Sequence, residues 1–107
     1  MNNFKVIATE NYLDEIKKLP KEYKAFVEEL PNKLKENPFQ GKPLIYRFLR
    51  EKRIKEKRIY YLIYEDFNLV ILVAVSGKKD QQYTIDHINY QLDDFKKIAE
   101  QISRQVS

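Results

Sequence analysis

The sequence predicts an α+β fold in a single domain spanning residues 1–107: an N-terminal strand, an αα-hairpin, an antiparallel three-strand meander forming a small sheet, and a C-terminal helix. Three observations predict it. Residues 59–64 and 69–75 are β-branched, aromatic and aliphatic runs of strand length, separated by the turn residues Asp66, Phe67 and Asn68, and Gly77 stops the second run. Residues 10–36 carry apolar side chains at helical spacing in two segments divided by Pro20. Ile85, Ile88, Leu92, Phe95, Ile98 and Ile102 then recur every three or four positions.

Residues 4–9 read as the first strand. A helix starts at Thr9 or Glu10, with Leu13, Ile16 and Leu19 on one face and Asp14, Glu15, Lys17 and Lys18 on the other. Pro20 interrupts it and suits the first turn of the next helix. That second helix carries Tyr23, Phe26, Val27, Leu30 and Leu34 on one face, with a kink or break expected at Pro31. Residues 37–43 are loop by composition. From Leu44 a strand alternates Leu44, Tyr46 and Phe48 with Ile45, Arg47 and Leu49, then turns charged. Residues 50–56 contain no glycine, which predicts an extended ribbon protruding from the body.

Every position from 69 to 75 is apolar, so this strand is expected in the sheet interior, covered on both faces. The strand before it has one apolar parity, Ile59, Tyr61 and Ile63. Its other parity, Arg58, Tyr60, Leu62 and Tyr64, carries a guanidinium and phenols and is expected to be a working surface. An antiparallel hairpin joins its open ends, placing Lys57 and Arg58 near Ser76, Gly77, Lys78 and Lys79. Polar residues 80–83 follow. The last helix is expected over about residues 85–105, capped by Thr84 or Asp86, and covers the sheet, pairs with another chain, or does both.

The chain lacks cysteine and has one histidine, which excludes a disulfide framework and a structural zinc site; no metal or other cofactor is expected. Without a long apolar run, a soluble, cytoplasmic protein with no membrane partner is expected. Net charge is +4, but residues 41–60 hold eight basic side chains against two acidic, and the remainder is slightly acidic. Concentrating the positive excess in one window marks a polyanion-binding surface, with nucleic acid first among candidates. The tyrosines and arginines interleaved with the lysines fit that reading better than a solubilising edge, which requires lysine alone.

Specific residues carry a family likeness. Lys57-Arg58-Ile59-Tyr60-Tyr61 resembles the tyrosine-arginine-apolar-apolar-tyrosine strand of the RelE/ParE toxin superfamily, with Lys57 in place of the first tyrosine. Val75-Ser76-Gly77-Lys78-Lys79 resembles the end of that family's last core strand, and Tyr46-Arg47 matches a tyrosine followed by a basic residue. The likeness spans about residues 3–90. It implies a RelE-like domain and the toxin of a type II toxin-antitoxin system: RelE-like members cut messenger RNA, usually on the ribosome, and are silenced by a cognate antitoxin. ParE-like members share the fold and inhibit DNA gyrase without RNA chemistry. A non-enzymatic toxin or a basic RNA-binding module is therefore the alternative. The resemblance assigns Arg58 to the family's strand arginine, Lys79 to a position usually held by arginine, and Tyr83 to the catalytic tyrosine at a shorter spacing.

Metal-independent RNA cleavage requires deprotonation of a 2′-hydroxyl, stabilisation of the phosphorane charge and protonation of the 5′ leaving oxygen. Arg58, Lys78 and Lys79 suit the second task, since fixed cations favour the more highly charged transition state; they are expected at a solvent-open cleft. Tyr83 among cations is the candidate base, and His87, whose ordinary pKa lies near neutrality, is the alternative. Arg47 and Arg50 are expected to position RNA phosphates, with Lys52, Arg53, Lys55 and Lys57 completing the RNA-binding set. Tyr46, Tyr60 and Tyr64 are candidates for stacking on bases.

Overall fold

The apolar run after Asn68 forms an interior strand, as its lack of alternation requires. In the computed structural model, which describes residues 3–105, the elements follow as β1 (Lys5–Ala8), α1 (Glu10–Lys17), α2 (Lys24–Glu36), β2 (Lys42–Pro43), β3 (Leu49–Ile54), β4 (Lys57–Tyr64), β5 (Leu69–Gly77), α3 (Gln81–Tyr90) and α4 (Leu92–Gln105). The sheet order is β1-β5-β4-β3-β2. β1 runs parallel to β5, and the other pairs are antiparallel.

Parity along β4 divides the core in two. Ile59, Tyr61 and Ile63 pack with Tyr12, Tyr23, Leu30 and Leu34 beneath α1 and α2, together with Val70 and Leu72 of β5. Tyr60 and Leu62 pack with Leu49, Ile71, Val73 and Ala74 beneath Ile85 and Ile88 of α3 and Phe95 and Ala99 of α4. A bulge pairs Tyr60 with Ala74 and Tyr61 with Leu72, leaving Val73 without an opposite residue, so Val73 and Ala74 both join the second core. Leu62 and Ile71 are fully buried, and each such side chain contributes about 1.5–3 kcal/mol. The Arg58 side of β4 is therefore a covered face and not an open working surface. Tyr60 is fully buried, which removes it as a base-stacking platform.

Several boundaries differ from the sequence reading, each for a local reason. α1 begins where expected, capped by the Thr9 hydroxyl accepting from Tyr12 N at 3.1 Å. α2 runs unbroken through Pro31, held on both sides of the proline by buried Leu30 and Leu34. Residues 44–48 form a turn instead of strand: Leu44 N donates to Leu49 O and Leu49 N to Tyr46 O, and Tyr46 stacks on Phe48 at 4.8 Å. The charged residues 50–54 are no protruding ribbon, since β3 pairs with β4 throughout and the link is the tight turn at Lys55 and Glu56. The final helix is two helices meeting at Gln91. The first starts at Gln81 and so takes in Gln81 and Gln82, which the apolar spacing leaves out. Among the described residues no helix is long and apolar enough to cross a membrane.

Candidate functional site

Lys55, with φ 53°, gives the β3–β4 turn its left-handed residue. The resulting register sets Arg53 opposite Arg58 and Glu51 opposite Tyr60. Two guanidiniums side by side require a counter-charge or separation. Arg53 turns outward and its Nε donates to Lys55 O at 2.9 Å. Arg58 turns inward, only 6% exposed, with its Nε 3.4 Å from Glu51 Oε1. The same carboxylate oxygen accepts from Gln81 Nε2, the first residue of α3, at 2.6 Å. Arg58 Nη1 is buried and has no hydrogen-bond partner.

Beneath this pair the Tyr60 hydroxyl and Ser76 Oγ lie 2.8 Å apart, and Ser76 Oγ donates to Gly77 O at 3.0 Å. Burial pushes the Tyr60 hydroxyl above its ordinary range; the Ser76 hydrogen bond opposes this and the Glu51 charge adds to it.

β2 pairs only Lys42 with Glu51 and Pro43 with Arg50, so the outer edge of β3 opens beyond it. There a groove of about 480 Å³ is lined by Gln40, Gly41, Lys42, Glu51, Lys52, Arg53, Arg58 and Gln81. It presents four cations and one carboxylate. Lys52 Nζ donates to Gln40 Oε1 at 3.3 Å, on the groove wall. Gly41 is required by close approach: a Cβ there would lie 2.6 Å from the Tyr61 hydroxyl and 2.9 Å from Glu51 O. The Tyr61 hydroxyl donates to Pro38 O at 2.6 Å and accepts from Gly41 N at 3.0 Å, clamping the wall to the sheet.

The opening turn of α3 separates this groove from a second of about 540 Å³, whose lining includes Lys18, Lys57, Ser76, Gly77, Tyr83 and His87. Tyr83 and His87 are exposed and stack with ring centroids 6.1 Å apart and planes 7° apart. Lys78 and Lys79 lie exposed on the turn before α3 and line neither groove.

The basic residues expected to act together are thus dispersed. Lys52, Arg53 and Arg58 share the first groove, and Lys57 faces the second with Tyr83 and His87. Arg50 is buried as a strut, its Nε donating to Arg47 O at 2.8 Å and its Nη1 to Gly41 O at 3.0 Å, with the guanidinium over the Phe39 ring. Arg47 lies before β3, at the end of that strand away from the β3–β4 turn, 2.6 Å from Glu65 Oε1. Lys55 at the turn reaches Glu22 Oε2 at 3.3 Å. Arg58 is not at a solvent-open position; burial and the Glu51 pair hold it. Glu51 and Gln81 escaped the sequence reading because an acid among eight bases, with Glu56 the second, reads as charge balance and a glutamine before a helix reads as polar filler. A hairpin register drawn around a two-residue turn at Lys55 and Glu56 places Glu51 opposite Tyr60 and diagonal to Arg58, so the pairing follows from the sequence only once that turn is known.

The fold is that of RelE toxins. The chain is similar to the toxin–antitoxin complex RelBE2 from Mycobacterium tuberculosis, with 26% identity over 73% of this chain and 94% of that one, at a TM-score of 0.62. It is similar to the archaeal RelE–RelB complex from Pyrococcus horikoshii, with 16% identity over 73% of this chain and 97% of that one, at 0.64. The intact E. coli RelBE complex matches with 16% identity over 70% and 95%, at 0.60. No family model and no curated protein matches the sequence. The likeness seen in the strand at 57–61 and the strand end at 75–79 is thus matched by a RelE-type fold over 73% of the chain.

Proposed function

We propose that this chain is the toxin of a toxin-antitoxin pair and an endoribonuclease acting on messenger RNA at the ribosome, with the Arg58 groove as its cleavage site. The observation carrying this reading is the Arg58–Glu51 pair in the lining of a groove that also presents Lys42, Lys52 and Arg53. Fixed cations in that lining attract a phosphate and favour the more highly charged phosphorane. Glu51 then takes the role of base. It removes the 2′-hydroxyl proton, the 2′ oxygen bonds to phosphorus, and the bond to the 5′ oxygen breaks, leaving a 2′,3′-cyclic phosphate. The 5′ oxygen takes its proton from water in the open groove. Arg58 bridges base and phosphate, and Lys52 and Arg53 add charge stabilisation for the phosphorane. Tyr83, His87 and Lys57 in the neighbouring groove suit a flanking nucleotide, whose base the Tyr83–His87 stack extends.

An antitoxin partner is supported by the complexes to which the fold is similar. Leu13 and Phe26 are exposed on α1 and α2, and a groove of about 340 Å³ between these helices includes Ile16, Leu19, Tyr23 and Val27, a surface suited to an amphipathic segment. Inducible expression with mapping of transcript ends tests the whole reading. Growth arrest with new 5′-hydroxyl ends inside coding regions supports it. Arrest without new ends favours the gyrase-inhibitor or RNA-binding alternative. A small neighbouring reading frame whose product co-purifies and restores growth identifies the partner.

A further inference from the structure

The shortest contact in the Arg58 groove is made by a residue that carries no charge. Gln81 Nε2 lies 2.6 Å from Glu51 Oε1, and Gln81 itself lines the groove. α3 begins at Gln81, and its register is set independently by Thr84 N donating to Asp80 O and by Ile85 and Ile88 in the core. The amide therefore approaches Glu51 from a fixed helix, whereas Arg58 reaches it from β4 at 3.4 Å.

Resting on the nuclease reading above, we propose that Gln81 is a positioning residue that fixes the orientation of the Glu51 carboxylate for proton abstraction. The physical reason is an unequal competition for one carboxylate. Lys42, Lys52, Arg53 and Arg58 line the same groove and each attracts Glu51, while the Tyr60 hydroxyl bears on it from β4. Cations alone leave a carboxylate free to swing towards whichever charge the incoming phosphate has not already taken. A neutral amide donor does not compete for phosphate with comparable strength, so it keeps hold of Oε1 when the cations turn to the substrate.

The test is the kcat and KM of RNA cleavage for the parent, Gln81→Ala and Gln81→Glu, with folding confirmed by circular dichroism. Expected is a fall in kcat of about ten- to a hundredfold for Gln81→Ala, the range supplied by one hydrogen bond to a charged group, with KM nearly unchanged. Gln81→Glu keeps the side-chain length but replaces the donor with a like charge, so kcat falls at least as far. A cutting parent whose kcat is matched by both variants, or a Gln81→Ala protein that loses in KM alone, overturns the assignment of Gln81 alone. A parent that cuts no RNA, free or ribosome-bound, overturns the nuclease reading and this one with it.

Discussion

Arg58 Nε lies 3.4 Å from Glu51 Oε1 with both side chains more than nine-tenths buried, which makes this a desolvated ion pair at the rim of an open groove. Removing either partner strands the other charge. Arg58→Ala is expected to lower unfolding free energy by about 3 kcal/mol, read from urea denaturation, because an uncompensated buried charge typically costs that much or more. Combining Arg58→Met with Glu51→Gln should recover most of the loss. Equal destabilisation by the single and double variants would show that packing, and not charge pairing, dominates at this position.

The apolar run at 69–75 and the helical spacing of 10–36 were legible because burial on both faces and amphipathic stripes leave a direct trace in composition. What stayed hidden was how β3 disposes of its charges. Arg50, Glu51, Lys52 and Arg53 read as a solvated ribbon. In the fold Arg50 is absorbed by the carbonyls of Arg47 and Gly41, and Glu51 by Arg58 and Gln81. Those partners lie on other elements, so no local pattern announces them. The turn was hidden for a related reason: Lys55 adopts the left-handed conformation that a sequence reader expects from glycine or asparagine. The candidate site was legible in Arg58 and in the basic window. Its carboxylate depended on the register.

Gly41→Ala tests the groove wall. The added methyl meets the Tyr61 hydroxyl at 2.6 Å and Glu51 O at 2.9 Å, so the wall shifts outward or the Tyr61–Pro38 hydrogen bond breaks. A loss of about 1–3 kcal/mol is expected, as for other overpacked sites. Tyr61→Phe in the same background removes the clashing oxygen and should restore part of it in thermal unfolding.

Alkaline stability follows from the tyrosines. Burial pushes Tyr12 and Tyr64 up to about 12 from 10.0. In the unfolded chain these phenols ionise near pH 10 while the folded protein retains their protons, so stability is fully present below pH 10 and declines between pH 10 and 12. Each group contributes a slope of about 1.4 kcal/mol per pH unit there. The Tyr12 hydroxyl is also buried without a partner, so Tyr12→Phe is expected to be neutral or stabilising at pH 7 and to flatten the alkaline decline. Identical pH–stability curves for parent and variant would refute the linkage.

Binding to single-stranded RNA should weaken steeply with salt, each neutralised phosphate adding a slope of about −0.7 in the logarithmic plot. Because Lys42, Lys52 and Arg53 line the groove, replacing any one with alanine should reduce the slope by about that amount. Arg47, held by Glu65 outside the groove lining, should leave the slope unchanged when replaced. Fluorescence anisotropy over a salt series reads both. An Arg47→Ala effect as large as that of Arg53→Ala would place the RNA path along the other end of the sheet.

Tyr83 and His87 separate base chemistry from base stacking. If Glu51 is the base, the Tyr83 hydroxyl carries no proton in the reaction, and Tyr83→Phe should cut RNA as fast as the parent. Tyr83→Ala removes one plate of the Tyr83–His87 stack, in which the ring centroids are 6.1 Å apart. Losing a ring that stacks on a nucleobase typically costs about 1–3 kcal/mol, so KM should rise roughly 5- to 150-fold while kcat holds. Tyr83 is 72% exposed, so neither change should disturb folding. A collapse of kcat in Tyr83→Phe with unchanged KM would return the acid or base role to the phenol and move the reacting phosphate to the groove of Lys57 and His87.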